Sequence, residues 1–206
     1  MDDQSADSMP VPVEHQQLFE KLKSKSKIII GYAGGYAPSN ALVSMINAIR
    51  LLPANLNVAI VSVGNGTEKE RLIELAKDQE NIHFLPSITK AAIPDFLSHC
   101  DILYAGGISS ILHSYGTSFN KVTDYMLAGK PIVFAVDDPN SLVEQVGCGI
   151  RVPAERPDEI AAAIAHLANL NPLERKVMGT KGKEYAEKEL GYTSIAQKIL
   201  DSIGVN

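Results

Sequence analysis

Five short apolar runs, each four to six residues long and each set apart by a stretch with helical spacing, restrict this chain more than any other feature. They are 27–32 (KIIIGY), 58–63 (VAIVSV), 82–85 (IHFL), 102–105 (ILYA) and 132–136 (IVFAV). A strand that is apolar at consecutive positions is buried on both faces, as the strands of a parallel sheet are. The intervening segments 41–52, 68–79, 91–99 and 121–128 carry helical patterns, so the order is strand, helix, strand, helix. That order requires a parallel sheet with helices on both faces. After Val152 the strands stop, and 157–170, 172–190 and 193–203 read as helices. The fold class expected is therefore α/β, a single Rossmann-like doubly wound parallel sheet of about six strands with a helical C-terminal tail. Residues 1–26 read as a flexible arm, polar up to Val13, and a short amphipathic helix over 14–24, the remnant of an inter-domain linker; residues 27–206 form the domain.

The composition narrows the function classes. Hydrophobic residues make up 45% of the 206 and charged ones 21%, which excludes disordered, collagen-like and coiled-coil chains. Nineteen basic against 24 acidic side chains leave a net charge of −5, and no basic patch is segregated. The lysines between 21 and 27 have Asp2, Asp3 and Asp7 in the same arm and read as a solvated helix end. Nucleic acid and an anionic bilayer are thus not expected as partners of this half. The two cysteines, Cys100 and Cys148, lack any C-x-x-C spacing, so a reducing compartment is expected. The acidic first residues do not form a signal peptide, and no apolar stretch approaches the ~20 residues of a membrane span, so the location expected is cytoplasmic.

Doubly wound sheets bind ligands at the carboxyl ends of their strands, which directs attention to the following loops. The first contains Gly31, Gly34 and Gly35 and leads to a helix expected to begin around Ser39 and Asn40. Adjacent glycines let a backbone pass close to an anion, and a helix start offers free N–H groups; a tight structural turn is the alternative. The G-x-G-x-x-G fingerprint of a nicotinamide dinucleotide site is absent. In the second loop, Gly64 and Gly66 make a turn, with Thr67 placed to cap a helix and Glu70 to close a capping box. Structure alone accounts for that loop.

The third loop holds Gly116, Thr117 and Ser118 before a short helix that starts near Asn120 and ends at Gly129. Lys121 in its first turn opposes the helix dipole unless an anion binds nearby. Asp124 is three residues on and shares the lysine's face, where it can accept hydrogen bonds from sugar hydroxyls. A surface ion pair between the two is the bland alternative.

At these residues the chain resembles a family. SFNKVTDYMLAGKPIVF is similar to the S-P-N-K-x-x-(D/E)-Y-M-x-A-G-K-P-(I/V) signature of retaining glycosyltransferases of family 4, also called group 1, in the carboxy-terminal half of the GT-B fold. IIIGYAGGYAPSNAL resembles the opening strand and glycine loop of that half, and VGNGTEKERL its V-G-(D/N)-G-x-E-x-x-L turn. IHFLPSITKAAIPDFLSHCDILY and VEQVGCGIRVP match further stretches in the same order, so the resemblance runs from about residue 27 to 203. The chain departs from the family at two places. Of the Glu-x7-Glu pair found in many members, Gly116 stands first and Asp124 second, and Ser39 and Asn40 stand where many members carry an Arg and a Lys.

The resemblance implies transfer of a sugar from a nucleotide diphosphate sugar, with UDP as the expected nucleotide, to an acceptor in surface polysaccharide or glycan assembly, with retention. It implies that Asp124 holds the ribose hydroxyls. Lys121, with Asn120 at the helix start and the amides of Gly116, Thr117 and Ser118, would meet the phosphates, with Gly34 and Gly35 opposite. The loop of Leu85, Pro86 and Ser87 would seat the base. A helix start plus a lysine can stabilise the leaving diphosphate without a metal, so no cofactor and no essential metal are expected. Strands for only one of the two GT-B sheets are present. The acceptor-binding N-terminal half is then expected elsewhere, in the same full-length chain or a separate one, and this chain alone is expected to bind nucleotide with little or no transfer.

Other residues carry less. No H-x-x-x-H spacing relates the five histidines, although His113 adjoins the third loop. Gly107-Ile108-Ser109 lacks the second glycine of a nucleophile elbow. Asp137 and Asp138 either face the donor sugar or form a turn and helix cap. Tyr125 and Met126 read as core. Two alternatives to the transferase remain at this level: a nucleotide-sugar 2-epimerase, which needs an acid and a base around the same pocket, and a non-catalytic nucleotide-binding module.

Overall fold

The computed structural model describes residues 8–115, 120–191 and 194. Six parallel strands form one sheet: β1 (Ile28–Ala33), β2 (Val58–Val63), β3 (Ile82–Leu85), β4 (Ile102–Gly106), β5 (Ile132–Ala135) and β6 (Gly149–Val152). Their order across the sheet is β3-β2-β1-β4-β5-β6. This is the doubly wound order, with the chain reversing direction across the sheet between β1 and β4. The helices are α1 (Val13–Ser24), α2 (Leu42–Arg50), α3 (Lys69–Leu75), α4 (Ile93–Ser98), α5 (Asn120–Leu127), α6 (Leu142–Val146), α7 (Pro157–Asn169) and α8 (Pro172–Glu189).

The central strands are largely apolar because each buries alternate residues on opposite faces, whereas the edge strands β3 and β6 are only partly buried. Ile30 and Tyr32 of β1, Ile60 of β2, Tyr104 of β4 and Val133 of β5 face a core closed by α2, α3 and α7. Ile29 and Ala33, Val61, Leu103 and Phe134 face the other core, closed by α1, α4, α5 and α6. The long α8 lies close to α5 through small residues: a Cβ on Gly179 would meet the Gly129 carbonyl, and one on Gly182 would lie 2.9 Å from Cys148.

Several expectations need correction. The helix after β1 opens at Leu42 rather than at Ser39 or Asn40, because a 3-10 turn (Pro38–Asn40) and Ala41 in the left-handed region (φ 46°) come first. Thr67 does not cap α3, and no capping box forms with Glu70. The Glu68 N–H that would begin that helix donates instead to the Tyr36 carbonyl of the first glycine loop, at 2.9 Å. The stretch expected as one helix over 91–99 is a 3-10 turn (Lys90–Ala92) leading into α4. Strand β6 and helix α6 had no apolar run to announce them. The helix expected over 193–203 lies outside the described residues apart from position 194.

Candidate functional site

The loops at the carboxyl ends of β1 and β2 meet beside the switch point between β1 and β4, and helix α5 reaches the first of them. Gly34 follows β1 and donates to the Val63 carbonyl at the end of β2, at 3.1 Å. The second glycine loop fits beneath the first. A Cβ on Gly64 would lie 1.9 Å from the Gly34 carbonyl oxygen and one on Gly66 would lie 2.4 Å from that of Tyr36, so only glycine permits the two backbones to touch. The second loop is therefore a support for the first. Gly35 by contrast is exposed, and a Cβ there would meet nothing closer than the Asn65 carbonyl at 3.9 Å.

Helix α5 is tied to this loop by two side chains one turn apart. The buried Tyr125 hydroxyl accepts a 3.0 Å hydrogen bond from the Ala33 N–H. Lys121 reaches the mouth of the sheet, where its Nζ donates to Asn40 Oδ1 at 2.5 Å and to the Tyr32 hydroxyl at 3.3 Å. The same nitrogen lies 4.8 Å from the centroid of the Tyr32 ring and 3.5 Å from where a Cβ of Gly34 would be. Burial lowers the pKa of this lysine to about 8. Burial also raises the pKa of the Tyr32 hydroxyl, which therefore keeps its proton and donates it to the Gly35 carbonyl at 2.7 Å.

Asp124 does not pair with Lys121. It lies on the rim of a cavity of about 520 Å³ between α5 and α4, lined also by Lys90, Ile93, Pro94, Leu97 and Leu127. Partial burial raises its carboxyl pKa, and the Lys90 charge opposes that shift. The Lys121 ammonium and the Asp124 carboxylate thus leave α5 in different directions, one toward the glycine loop and the other toward the segment that follows β3. Asn120, the first residue of α5, is exposed.

In that segment after β3, Leu85 is half-buried while Pro86 and Ser87 are exposed. The Pro86 carbonyl is already engaged by Nε2 of the buried His15 on α1, at 3.1 Å. Gly116, Thr117 and Ser118 lie outside the described residues. Asp137 and Asp138 serve the backbone and a neighbouring loop. Asp138 accepts from the Asn140 N–H and forms the expected turn, whereas Asp137 accepts from the distant Ala154 N–H and Ser109 hydroxyl, and neither caps α6, whose N-cap is Ser141. The hydrogen bond from Ser109, followed by that from the Ala154 N–H, holds the Asp137 carboxyl below its ordinary pKa, and His113 lies in the 3-10 turn Ile111–Tyr115. Met126 is core, whereas Tyr125 is core with a polar task.

Sequence reasoning did not assign Tyr32, Asn40 or Tyr125 to the site. One signal was available: Tyr32 is a polar aromatic at the end of an otherwise apolar strand, directly before the glycines.

The profile of the family described as glycosyl transferases group 1 matches residues 27–169. A search of the curated proteins finds no match to this chain. Solved structures with the same fold include HepE of Anabaena in complex with UDP and glucose, at 18% identity and a TM-score of 0.72, over 95% of this chain and 53% of that one. WaaG, a glycosyltransferase involved in lipopolysaccharide biosynthesis, matches at 13% identity and a TM-score of 0.70, over 96% of this chain and 53% of that one. The C-terminal domain of the group 1 family protein LpcC from Francisella tularensis matches at 16% identity and a TM-score of 0.67, over 90% of this chain and 97% of that domain. The chain thus spans about half the length of HepE and WaaG, and nearly all of the isolated LpcC domain.

Proposed function

The chain belongs to the group 1 glycosyl transferases and has the fold of the carboxy-terminal domain of such a protein, and on that premise we propose that it is the donor-binding half of a retaining glycosyltransferase that uses a UDP-linked sugar. One observation carries this reading: the Lys121 ammonium, set against the glycine loop at the sheet's mouth, has among the described residues only neutral hydrogen-bond partners, Asn40 and Tyr32. A half-buried cation with no counter-ion among the described residues suits an anion that arrives from outside. A departing diphosphate is such an anion. The bond between sugar and phosphate breaks with its electron pair going to the diphosphate, and a fixed positive charge stabilises what develops there.

In this arrangement Gly34 and Gly35 give the diphosphate close backbone approach, Asn120 flanks it, and Lys121 carries its charge, so no metal is required. Asp124 accepts from the ribose hydroxyls at the rim of its cavity. Leu85 and Ser87 border the base, next to the Pro86 carbonyl that His15 occupies. The UDP complexes of HepE support the choice of nucleotide, and the involvement of WaaG in lipopolysaccharide biosynthesis supports a role in surface polysaccharide assembly; the cytoplasm is the location proposed for it. The acceptor half belongs to the same polypeptide or to a separate chain, and these 206 residues alone hold the donor without transferring it.

Calorimetric titration of the 206-residue chain with UDP, GDP and NAD tests this. UDP binding that is unchanged by EDTA, with none for NAD, is the expected result. Failure of both UDP and GDP to bind would remove the reading.

A further inference from the structure

Four groups at the mouth of the sheet close a ring of hydrogen bonds. The Gly35 carbonyl accepts from the Tyr32 hydroxyl at 2.7 Å and from Asn40 Nδ2 at 3.0 Å. Asn40 Oδ1 and the Tyr32 hydroxyl both accept from Lys121 Nζ, at 2.5 Å and 3.3 Å. The ring fixes the orientation of the Asn40 amide. With its NH2 group on a carbonyl, which only accepts, its oxygen must face the ammonium, which only donates.

We propose that Asn40 and Tyr32 are positioning residues that hold Lys121 as a cation with no counter-ion among the described residues, reserved for the diphosphate of an incoming nucleotide, and that the neutrality of residue 40 keeps it available. The inference rests on the donor-binding reading above. A neutral oxygen orients an ammonium without cancelling its charge. A carboxylate at the same place would form a close ion pair, satisfy the lysine and compete with the ligand.

The groups around Lys121 fit such a holder. From β1 comes Tyr32, whose ring lies under the nitrogen at 4.8 Å from its centroid and whose pKa is raised by burial. From the 3-10 turn comes Asn40, which does not titrate. On α5 itself, Asp124 is directed to the cavity it shares with Lys90, and Tyr125 is bonded to Ala33. Burial, with no compensating carboxylate among the described residues, accounts for a lysine pKa lowered to about 8. A dianionic ligand beside Gly34 would reverse that shift, so binding takes up a proton when the pH is above the free lysine's midpoint.

The variants Asn40→Asp and Tyr32→Phe test the holder in the full chain by two readouts, Lys121 Nζ titration by NMR without nucleotide and UDP affinity as a function of pH. The wild type should titrate near pH 8 and lose UDP affinity as the pH rises above that point. Asn40→Asp should move the midpoint up by about one unit or more and weaken UDP binding roughly tenfold at pH 7. Tyr32→Phe keeps the ring but removes an acceptor, so it should lower the midpoint further and weaken UDP binding severalfold. It also keeps the inference testable should Asn40→Asp fail to fold. A midpoint and an affinity that neither substitution moves would overturn the inference, since a merely structural role would alter melting temperature alone. Should the wild type bind neither UDP nor GDP, the donor reading fails, and an unmoved Lys121 midpoint would then sink the holder as well.

Discussion

The Tyr125 hydroxyl and the Ala33 N–H, 92 positions apart in the chain, form a buried hydrogen bond of 3.0 Å that fixes α5 against the end of β1. Without it the lysine one turn earlier would have no set distance from the glycine loop. Tyr125→Phe leaves the Ala33 N–H buried and without that partner, at a cost of about 1–3 kcal/mol. In a domain of this size the melting temperature should fall by about 2–4 °C per kcal/mol. Differential scanning calorimetry reads the loss, and UDP affinity should fall with it.

Lys121→Met should weaken binding of UDP by about tenfold or more, since a charge-assisted contact is lost, while uridine binding changes little. Its effect on stability depends on pH, with a sign fixed by the lysine's depressed pKa. Between about pH 8 and the ordinary lysine range the unfolded chain holds more protons at this residue than the folded one. Stability of the wild type therefore rises with pH across that window. The advantage of Lys121→Met over the wild type should be present at pH 7 and shrink toward pH 10, as measured by urea denaturation at each pH.

Asp124→Ala should remove the preference for UDP over 2′-deoxy-UDP. A hydrogen bond to a charged acceptor contributes about 1.5–3 kcal/mol, so the wild-type preference should be roughly tenfold or greater. Asp124→Asn, which keeps an acceptor without the charge, should fall between. Competition calorimetry with the two nucleotides distinguishes the three proteins.

The two glycine loops separate a supporting role from a binding one. Gly64→Ala places a methyl group within 1.9 Å of the Gly34 carbonyl oxygen and must displace backbone. It should cost about 3 kcal/mol or more and broaden the unfolding transition. Gly35→Ala meets only an ordinary contact with the Asn65 carbonyl at 3.9 Å and should leave the melting temperature within about 1 °C of the wild type. It should nonetheless reduce UDP affinity, because the diphosphate loses close backbone approach.

Most of this fold was legible because buried parallel strands cannot hide their composition. Strands β2 and β3 coincide with their apolar runs, and β1, β4 and β5 end within a residue of theirs. Strand β6 escaped notice because it is an edge strand, only half-buried along most of its length, and it carries Gly149 and an Arg151 that bonds Glu144. The site divides along the same line. Lys121, Asp124 and the glycines were visible as residue types out of place for a plain helix or turn. The ring that holds Lys121 was not, because Asn40 lies 81 positions away and no local pattern reports a contact of that span. The capping box at Thr67 and Glu70 had the right local spacing and was overridden by a tertiary bond from Glu68 to Tyr36.

The most direct test follows backbone amide and Lys121 side-chain resonances while UDP is added to the 206-residue protein. Saturable shifts are expected at Gly34, Gly35 and Lys121, together with a smaller set around Asp124 and Ser87. Saturation with UDP or GDP that leaves Gly34 and Lys121 unmoved, or shifts confined to another surface, would contradict the donor-binding reading.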